Sequence, residues 1–175
     1  MQWKSKGLDI KQLNNIIPMI DLSGSMLDEN AVPYSVAIGL GIRCAERSTL
    51  GKYALTFSQT PSWIELSEDD NLIENVRRIT NSPGAGYNTN FSAALRKILD
   101  ACIVKNLTAE EVSNLTLLVL SDMQIDSSGN ESLTDSMWDK IEKDYYNAGM
   151  QCGGVPWKPP LIAFFNLRKT DGFPC

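Results

Sequence analysis

The chain has 175 residues, enough for one globular domain with a proper core, and its content of 43% hydrophobic and 21% charged residues is ordinary for such a domain. The 16 basic and 21 acidic side chains give a net charge of −5, which argues against nucleic acid as a direct partner. Histidine is absent, which excludes Ser-His-Asp and Cys-His catalysis and any His-ligated zinc or iron site.

The cysteines and the apolar runs bear on where the protein resides. Cys44, Cys102, Cys152 and Cys175 show no CxxC spacing, so neither a zinc ribbon nor a thioredoxin motif is indicated. Cys44 and Cys102 fall in helical patterns, and we expect buried, reduced thiols there. The N-terminus lacks the apolar core of a signal peptide, and no apolar run is long enough to span a membrane. We therefore expect an intracellular, cytoplasmic protein.

Apolar runs typical of strands recur along the chain. A polar lead-in segment, residues 1–15, precedes an uncharged strand that we expect to be central and buried on both faces. The link between the second and third strands is too short for a crossover helix, so we expect these two strands to be antiparallel. The predicted strands cover residues 16–20, 53–57, 63–66, 115–120 and 161–165.

Helical patterns separate most of these strands. The first helix is predicted to begin at an Asn30 cap with Pro33 in its first turn. The acidic run 68–70 is better explained as favourable charge ahead of the next helix than as a calcium site. The last helix is predicted to end before Gly149, where a Gly/Pro-rich connection begins. The later helices are predicted over residues 71–80, 91–104, 109–113 and 134–148.

This alternation predicts an α/β fold over residues 16–175: a doubly wound, Rossmann-like sheet, mainly parallel, with one antiparallel edge strand. Ligands of such sheets bind beyond the carboxyl ends of the strands. The first strand runs directly into residues 21–26, Asp-Leu-Ser-Gly-Ser-Met, whose carboxylate and two hydroxyls alternate along a turn. Oxygen ligands of this kind suit hard cations, above all Mg²⁺. Alternatively, Ser23 or Ser25 merely caps backbone N–H groups.

The Asp-x-Ser-x-Ser motif of residues 21–25 resembles the metal-ion-dependent adhesion site of von Willebrand factor A (vWA) domains. Two further positions match the pattern of that family. Thr89, in the run Gly-Tyr-Asn-Thr-Asn-Phe, stands where the second loop supplies a threonine, and Asp122 follows a strand where the third loop supplies an aspartate. Taken singly, Thr89 is explained as a helix cap and Asp122 as a turn residue. Their combination with the motif, in the order of the family, favours the metal site.

The resemblance implies a role for each residue. Ser23 and Ser25 are expected to bind Mg²⁺, or Mn²⁺, directly through their hydroxyls, with Thr89 as a third, state-dependent ligand. Asp21 and Asp122 are expected to act partly through water and to orient the serines. Because neutral hydroxyls leave the ion incompletely neutralised, it should recruit an external anion. In this family that anion is commonly a Glu or Asp carboxylate of a partner protein.

The resemblance also implies that the domain is incomplete, and it points to one group within the family. A vWA domain normally has one more helix and strand and a last helix, so we expect a C-terminally truncated domain. Within the family, the closest resemblance is to an uncharacterised intracellular group of plants, fungi and giant viruses, related to the vWA domain of the Ro ribonucleoprotein. The segments that carry it, beyond the motif itself, are residues 33–40, 88–91, 121–124 and 165–168.

The function that we predict is a metal-dependent protein-binding module, not an enzyme. A Mg²⁺-dependent hydrolase is less favoured because the chain has no GxSxG elbow, no GxxxxGK[ST] loop and no second carboxylate cluster beside the motif. A ribonucleoprotein-associated scaffold of Ro type is the other alternative. The acidic net charge counts against direct contact with RNA in that case.

Overall fold

The computed structural model describes residues 15–67, 69, 71–82, 90–122 and 135–168. In these ranges the chain forms five strands and five helices. The strands are β1 (Ile16–Ile20), β2 (Tyr53–Thr56), β3 (Trp63–Glu65), β4 (Thr116–Ser121) and β5 (Leu161–Asn166). The helices are α1 (Asp28–Ala45), α2 (Leu72–Thr80), α3 (Phe91–Val104), α4 (Ala109–Ser113) and α5 (Asp135–Gly153), and a 3₁₀ turn (Gly24–Leu27) lies between β1 and α1.

The strands form one sheet in the order β3-β2-β1-β4-β5. β1 pairs in parallel with β2 and β4, and β5 pairs in parallel with β4, whereas β3 is antiparallel to β2. The predicted α/β sheet, mainly parallel with one antiparallel edge strand, is therefore confirmed. Ile20 stands opposite both Thr56 and Leu120, so β1, β2 and β4 end at nearly the same level.

Hydrophobic side chains of the central strands alternate between two cores, one on each face of the sheet. Met19 and Val119 point to the core that α3, α4 and α5 cover. Ile20 and Leu120 point to the core that α1 and α2 cover. All four side chains are completely buried, as expected for central strands of a doubly wound sheet.

A buried tyrosine ties the two long helices of the first core together. The hydroxyl of Tyr145 in α5 donates to the carbonyl of Leu95 in α3 at 2.7 Å. Burial, with smaller contributions from Cys102 and Asp100, raises the pKa of Tyr145, so the phenol stays protonated and remains a donor. The predicted buried, reduced thiols of Cys44 and Cys102 are confirmed, and burial raises the pKa of Cys102 to about 12.

The predicted start of the first helix is wrong. The 3₁₀ turn leads directly into α1 at Asp28, with Leu27 at the cap position and no side-chain cap. Asn30 lies inside the first turn with a φ of 60°, so its backbone is not in the extended conformation of a cap residue.

The second helix, α2, does begin with a side-chain cap. Asn71 caps α2 by accepting from the Glu74 N–H at 3.0 Å, and residues 68 and 70 of the acidic run lie outside the described residues.

Nearly all of the predicted lead-in, residues 1–15, and the last seven residues of the predicted domain, 169–175, lie outside the described residues. Of the predicted lead-in, only Asn15 is described, and its carbonyl accepts the Thr116 N–H at 2.9 Å. Within the described part, no helix is both long enough and apolar enough to cross a bilayer.

The predicted end of the last helix is also wrong, because α5 continues through Gly149 to Gly153. Gly149 is buried at a point where the returning chain crosses the helix. A Cβ atom at this position would overlap the Trp157 nitrogen and the Val155 carbonyl oxygen, both of which are backbone atoms. The glycine therefore allows a close approach inside the helix rather than ending it.

Gly149→Ala should lower the free energy of unfolding by about 1–3 kcal/mol, because the backbone of the crossing segment must move. Gly39→Ala in α1 is the matched control, since nothing lies within 4 Å of its added Cβ. Alanine is the better helix former, so this control should gain up to about 1 kcal/mol. Urea denaturation of both variants measures the difference, and shifts of the same sign would contradict the close approach.

Candidate functional site

Most buried polar side chains of the described part lie at one edge of the sheet. They lie at the carboxyl ends of β1, β2 and β4, or within two residues after them, and they are Asp21, Thr56, Ser58, Ser121 and Asp122. Burial of a polar group is unfavourable unless the group is hydrogen-bonded. This edge is also where ligands of open α/β sheets bind.

The carboxylate of Asp21 is the centre of this edge and is only 3% exposed. One oxygen, Oδ1, accepts the Ser23 N–H at 2.9 Å, and the other, Oδ2, accepts the Ser121 hydroxyl at 2.6 Å. The second distance is typical of a charge-assisted O–H···O⁻ hydrogen bond. Asp21 therefore shapes its own loop with one oxygen and holds the end of β4 with the other.

Ser23 and Ser25 lie on the loop that Asp21 shapes, and their hydroxyl oxygens are 3.0 Å apart. Ser23 occupies the cap position of the 3₁₀ turn, yet its side chain makes no cap hydrogen bond. Met26, the residue after Ser25, is completely buried in the α1–α2 core and anchors the turn. Among the described residues, the Ser23 hydroxyl therefore does not cap a backbone N–H, which was the alternative explanation of this serine.

Asp122 directly follows β4 and is 4% exposed. The register sets Leu120 opposite Ile20, so Ser121 is level with Asp21 and Asp122 is one residue beyond. The N–H of Asp21 also donates to the Leu120 carbonyl at 3.0 Å, which continues the β1–β4 pairing to the loop itself. The two predicted aspartates thus follow neighbouring strands at the same edge.

Thr89 lies outside the described residues, but its neighbour Asn90 is described. The N–H of Asn90 donates to the Ser58 carbonyl at 3.2 Å, which attaches the start of α3 to the same edge of the sheet. The Asn90 side chain accepts the Ala93 N–H at 2.8 Å and so caps α3. Helix capping was the alternative to metal binding as an explanation of Thr89. The residue that caps α3 is Asn90.

Sequence reasoning gave no role to Ser121, although its hydroxyl makes the shortest hydrogen bond of Asp21. A signal was present, since this serine stands between an apolar strand and Asp122. Sequence reasoning also missed Thr56 and Ser58, whose buried hydroxyls are 3.3 Å apart at the end of β2. Whether these hydroxyls lie at the same edge as Asp21 depends on which strands are neighbours in the sheet.

The donors that the edge brings together are all oxygen atoms. They are the carboxylates of Asp21 and Asp122 and the nearby hydroxyls, a donor set that suits Mg²⁺ or Mn²⁺ rather than zinc or copper. In the described ranges no group of three or more His, Cys, Asp or Glu side chains could hold a metal ion. Any metal held at this edge would therefore depend on hydroxyl ligands.

Comparison with protein families gives a match over nearly the whole chain. Residues 15–174 match the family described as Domain of unknown function (DUF7788). The chain belongs to this family. The DUF7788 match extends from the start of β1 beyond the end of β5, so it includes the whole sheet and its polar edge. No curated protein is significantly similar to the chain.

Ser121→Ala should lower the free energy of unfolding by about 1–3 kcal/mol, because it removes a donor from a buried carboxylate oxygen. Ser113→Ala is the control, since the Ser113 hydroxyl is exposed and donates only to a carbonyl of its own helix. The control should change stability by less than about 0.5 kcal/mol. Urea denaturation of metal-free protein tests this, and equal losses would show that the Asp21–Ser121 bond is unimportant.

Proposed function

We propose that the chain is a vWA-type module that binds Mg²⁺ and, through the ion, a carboxylate of a partner protein. The proposed metal-site residues are Asp21, Ser23, Ser25, Thr89 and Asp122, of which Thr89 stays a prediction outside the described residues. The observation that carries the proposal is the buried Asp21 carboxylate, which holds both the serine loop and the end of β4.

The electrostatics of Asp21 favour a cation. Its two hydrogen-bond donors, the Ser23 N–H and the Ser121 hydroxyl, are neutral groups. A buried carboxylate is costly to keep charged without a positive partner. A divalent cation nearby would supply that charge, as bound ions commonly do in sites of this kind.

The spacing of the serine hydroxyls suits the same ion. Neighbouring ligands of an octahedral Mg²⁺ ion with bonds of 2.0–2.1 Å are about 2.9 Å apart. The hydroxyl oxygens of Ser23 and Ser25 are 3.0 Å apart, which also suits a hydrogen bond between them. The loop therefore needs little rearrangement between a metal-free form and a form in which both hydroxyls bind the ion.

In this proposal the chain's residues do three things. Ser23 and Ser25 bind the ion without neutralising it, and Asp21 fixes the loop that carries them. Asp122, with Asp21, acts through water. The ion supplies attraction for an external carboxylate, and the same ligands accept Mn²⁺. None of these roles requires a nucleophile or a base, so we infer a binding module rather than an enzyme.

An intracellular, cytoplasmic location belongs to the same proposal. Cys44 and Cys102 are free and buried, as expected in a reducing compartment. The relation to the Ro-type vWA domain stays a prediction, and neither a ribonucleoprotein scaffold nor a hydrolase is favoured by a specific observation of this structure.

Calorimetric titration of Mg²⁺ and Mn²⁺ into metal-free protein tests the metal site. We expect saturable binding that the Ser23→Ala/Ser25→Ala double variant abolishes and that Asp122→Asn weakens about 10–100-fold. Ser35→Ala, at an exposed position of α1, is the control and should bind like the unchanged protein. Absence of binding to the folded protein, or unchanged binding in the double variant, would contradict the proposal.

Acetate, as a stand-in for a partner's carboxylate, tests the second half of the proposal. Because linkage is reciprocal, acetate that binds the ion must tighten Mg²⁺ binding. We expect the Mg²⁺ affinity to rise with acetate concentration but not with chloride at the same ionic strength. Equal responses to the two anions would leave a metal site that does not recruit a carboxylate. Turnover of a phosphate ester that Asp122→Ala abolishes would instead establish an enzyme.

A further inference from the structure

A cavity of about 330 Å³ lies between the N-terminal turns of α3 and α5. We call it the α3–α5 cleft. Its lining includes Ser92 and Arg96 from α3 and Ser136 and Lys140 from α5. The four described residues of the proposed metal site, Asp21, Ser23, Ser25 and Asp122, are not among the described residues that line the cleft.

Ser92 is the most informative residue of the cleft because its side chain is buried and has no partner among the described residues. Its side chain is 6% exposed, and within the described part of the chain its hydroxyl has no hydrogen-bond partner. The buried hydroxyls of Thr56 and Ser58, in contrast, are paired with each other. An unpaired buried hydroxyl destabilises a fold, so one that lines a cavity is a good candidate to bind a ligand.

The electrostatics of the cleft favour an anion. Arg96 and Lys140 are the charged side chains among its described lining residues, and both are positive. Arg96 also makes one long ion pair with Asp144, 3.7 Å through its Nε, which leaves other guanidinium N–H groups available. α3 and α5 are 14 and 19 residues long and begin at the cleft, so both helix dipoles add positive potential there.

We propose that the α3–α5 cleft binds a phosphate monoester, with a phosphorylated side chain of a protein as its macromolecular source. A monoester carries nearly two negative charges and several acceptor oxygens. These match the two cations and the donors of the cleft, foremost the Ser92 hydroxyl. The exposed faces of the same two helices carry acidic residues, Asp100 and Asp139 among them. A polyanion such as RNA is therefore disfavoured.

Calorimetric titration of O-phosphoserine and of inorganic phosphate into metal-free protein tests the cleft without the metal site. We expect saturable binding of both, weakened about tenfold in Lys140→Gln because one charge-assisted contact is lost. Lys143→Gln is the matched control, since Lys143 is exposed on the same helix and does not line the cleft. Tighter binding of phosphoserine than of phosphate would support a protein source.

Ser92→Ala separates a ligand-binding role of the hydroxyl from a structural one. Because the hydroxyl has no partner in the described part of the chain, its removal should leave the melting temperature of the ligand-free protein unchanged or higher. The same variant should weaken phosphate binding about fivefold. A lower melting temperature with unchanged phosphate affinity would overturn the proposal.

Three other outcomes would also overturn it. The first is no saturable binding of either phosphate probe. The second is an equal loss of affinity in Lys140→Gln and Lys143→Gln. The third is a short single-stranded RNA that binds more tightly than phosphoserine and whose binding Lys140→Gln abolishes. Because the phosphate titrations contain no metal ion, a negative result would not count against the proposed Mg²⁺ site.

Discussion

The parallel pairing of β1 with β4 is the constraint on which the rest of the structure depends. Its register, with Ile20 opposite Leu120, sets Asp21 level with Ser121 and brings a carboxylate to a hydroxyl from another part of the chain. A shift by one residue would turn every strand side chain to the opposite face. Both faces of these strands are packed, so the two cores fix the register, and the register fixes the polar edge.

The polar edge and the α3–α5 cleft are connected through the start of α3. Asn90 attaches this helix to the end of β2 and caps it. Two residues later, Ser92 lines the cleft. Both the polar edge and the α3–α5 cleft therefore depend on the position of α3 relative to the sheet. The buried Tyr145–Leu95 hydrogen bond joins α3 to α5 and so fixes the two sides of the cleft.

Most of the fold was predictable because its signals are local. Apolar runs predicted five strands, and the short link before Trp63 predicted the antiparallel pair. The error at the end of α5 arose because a local signal had a cause outside its own helix. Gly149 resembles a helix end, but it admits the backbone of Trp157 and Val155. Asn30 resembles a cap, but the 3₁₀ turn before it continues directly into α1.

By itself the sequence determined the kinds of elements, their order, and the all-oxygen donors at the carboxyl ends of two strands, because periodicity and turn composition act over a few residues. Only the tertiary structure decided which polar groups meet. Ser121 reaches Asp21 across 100 positions of the chain, and Ser92 and Lys140 line one cavity because α3 and α5 pack together. Such contacts depend on register and helix packing, which no short stretch of sequence encodes.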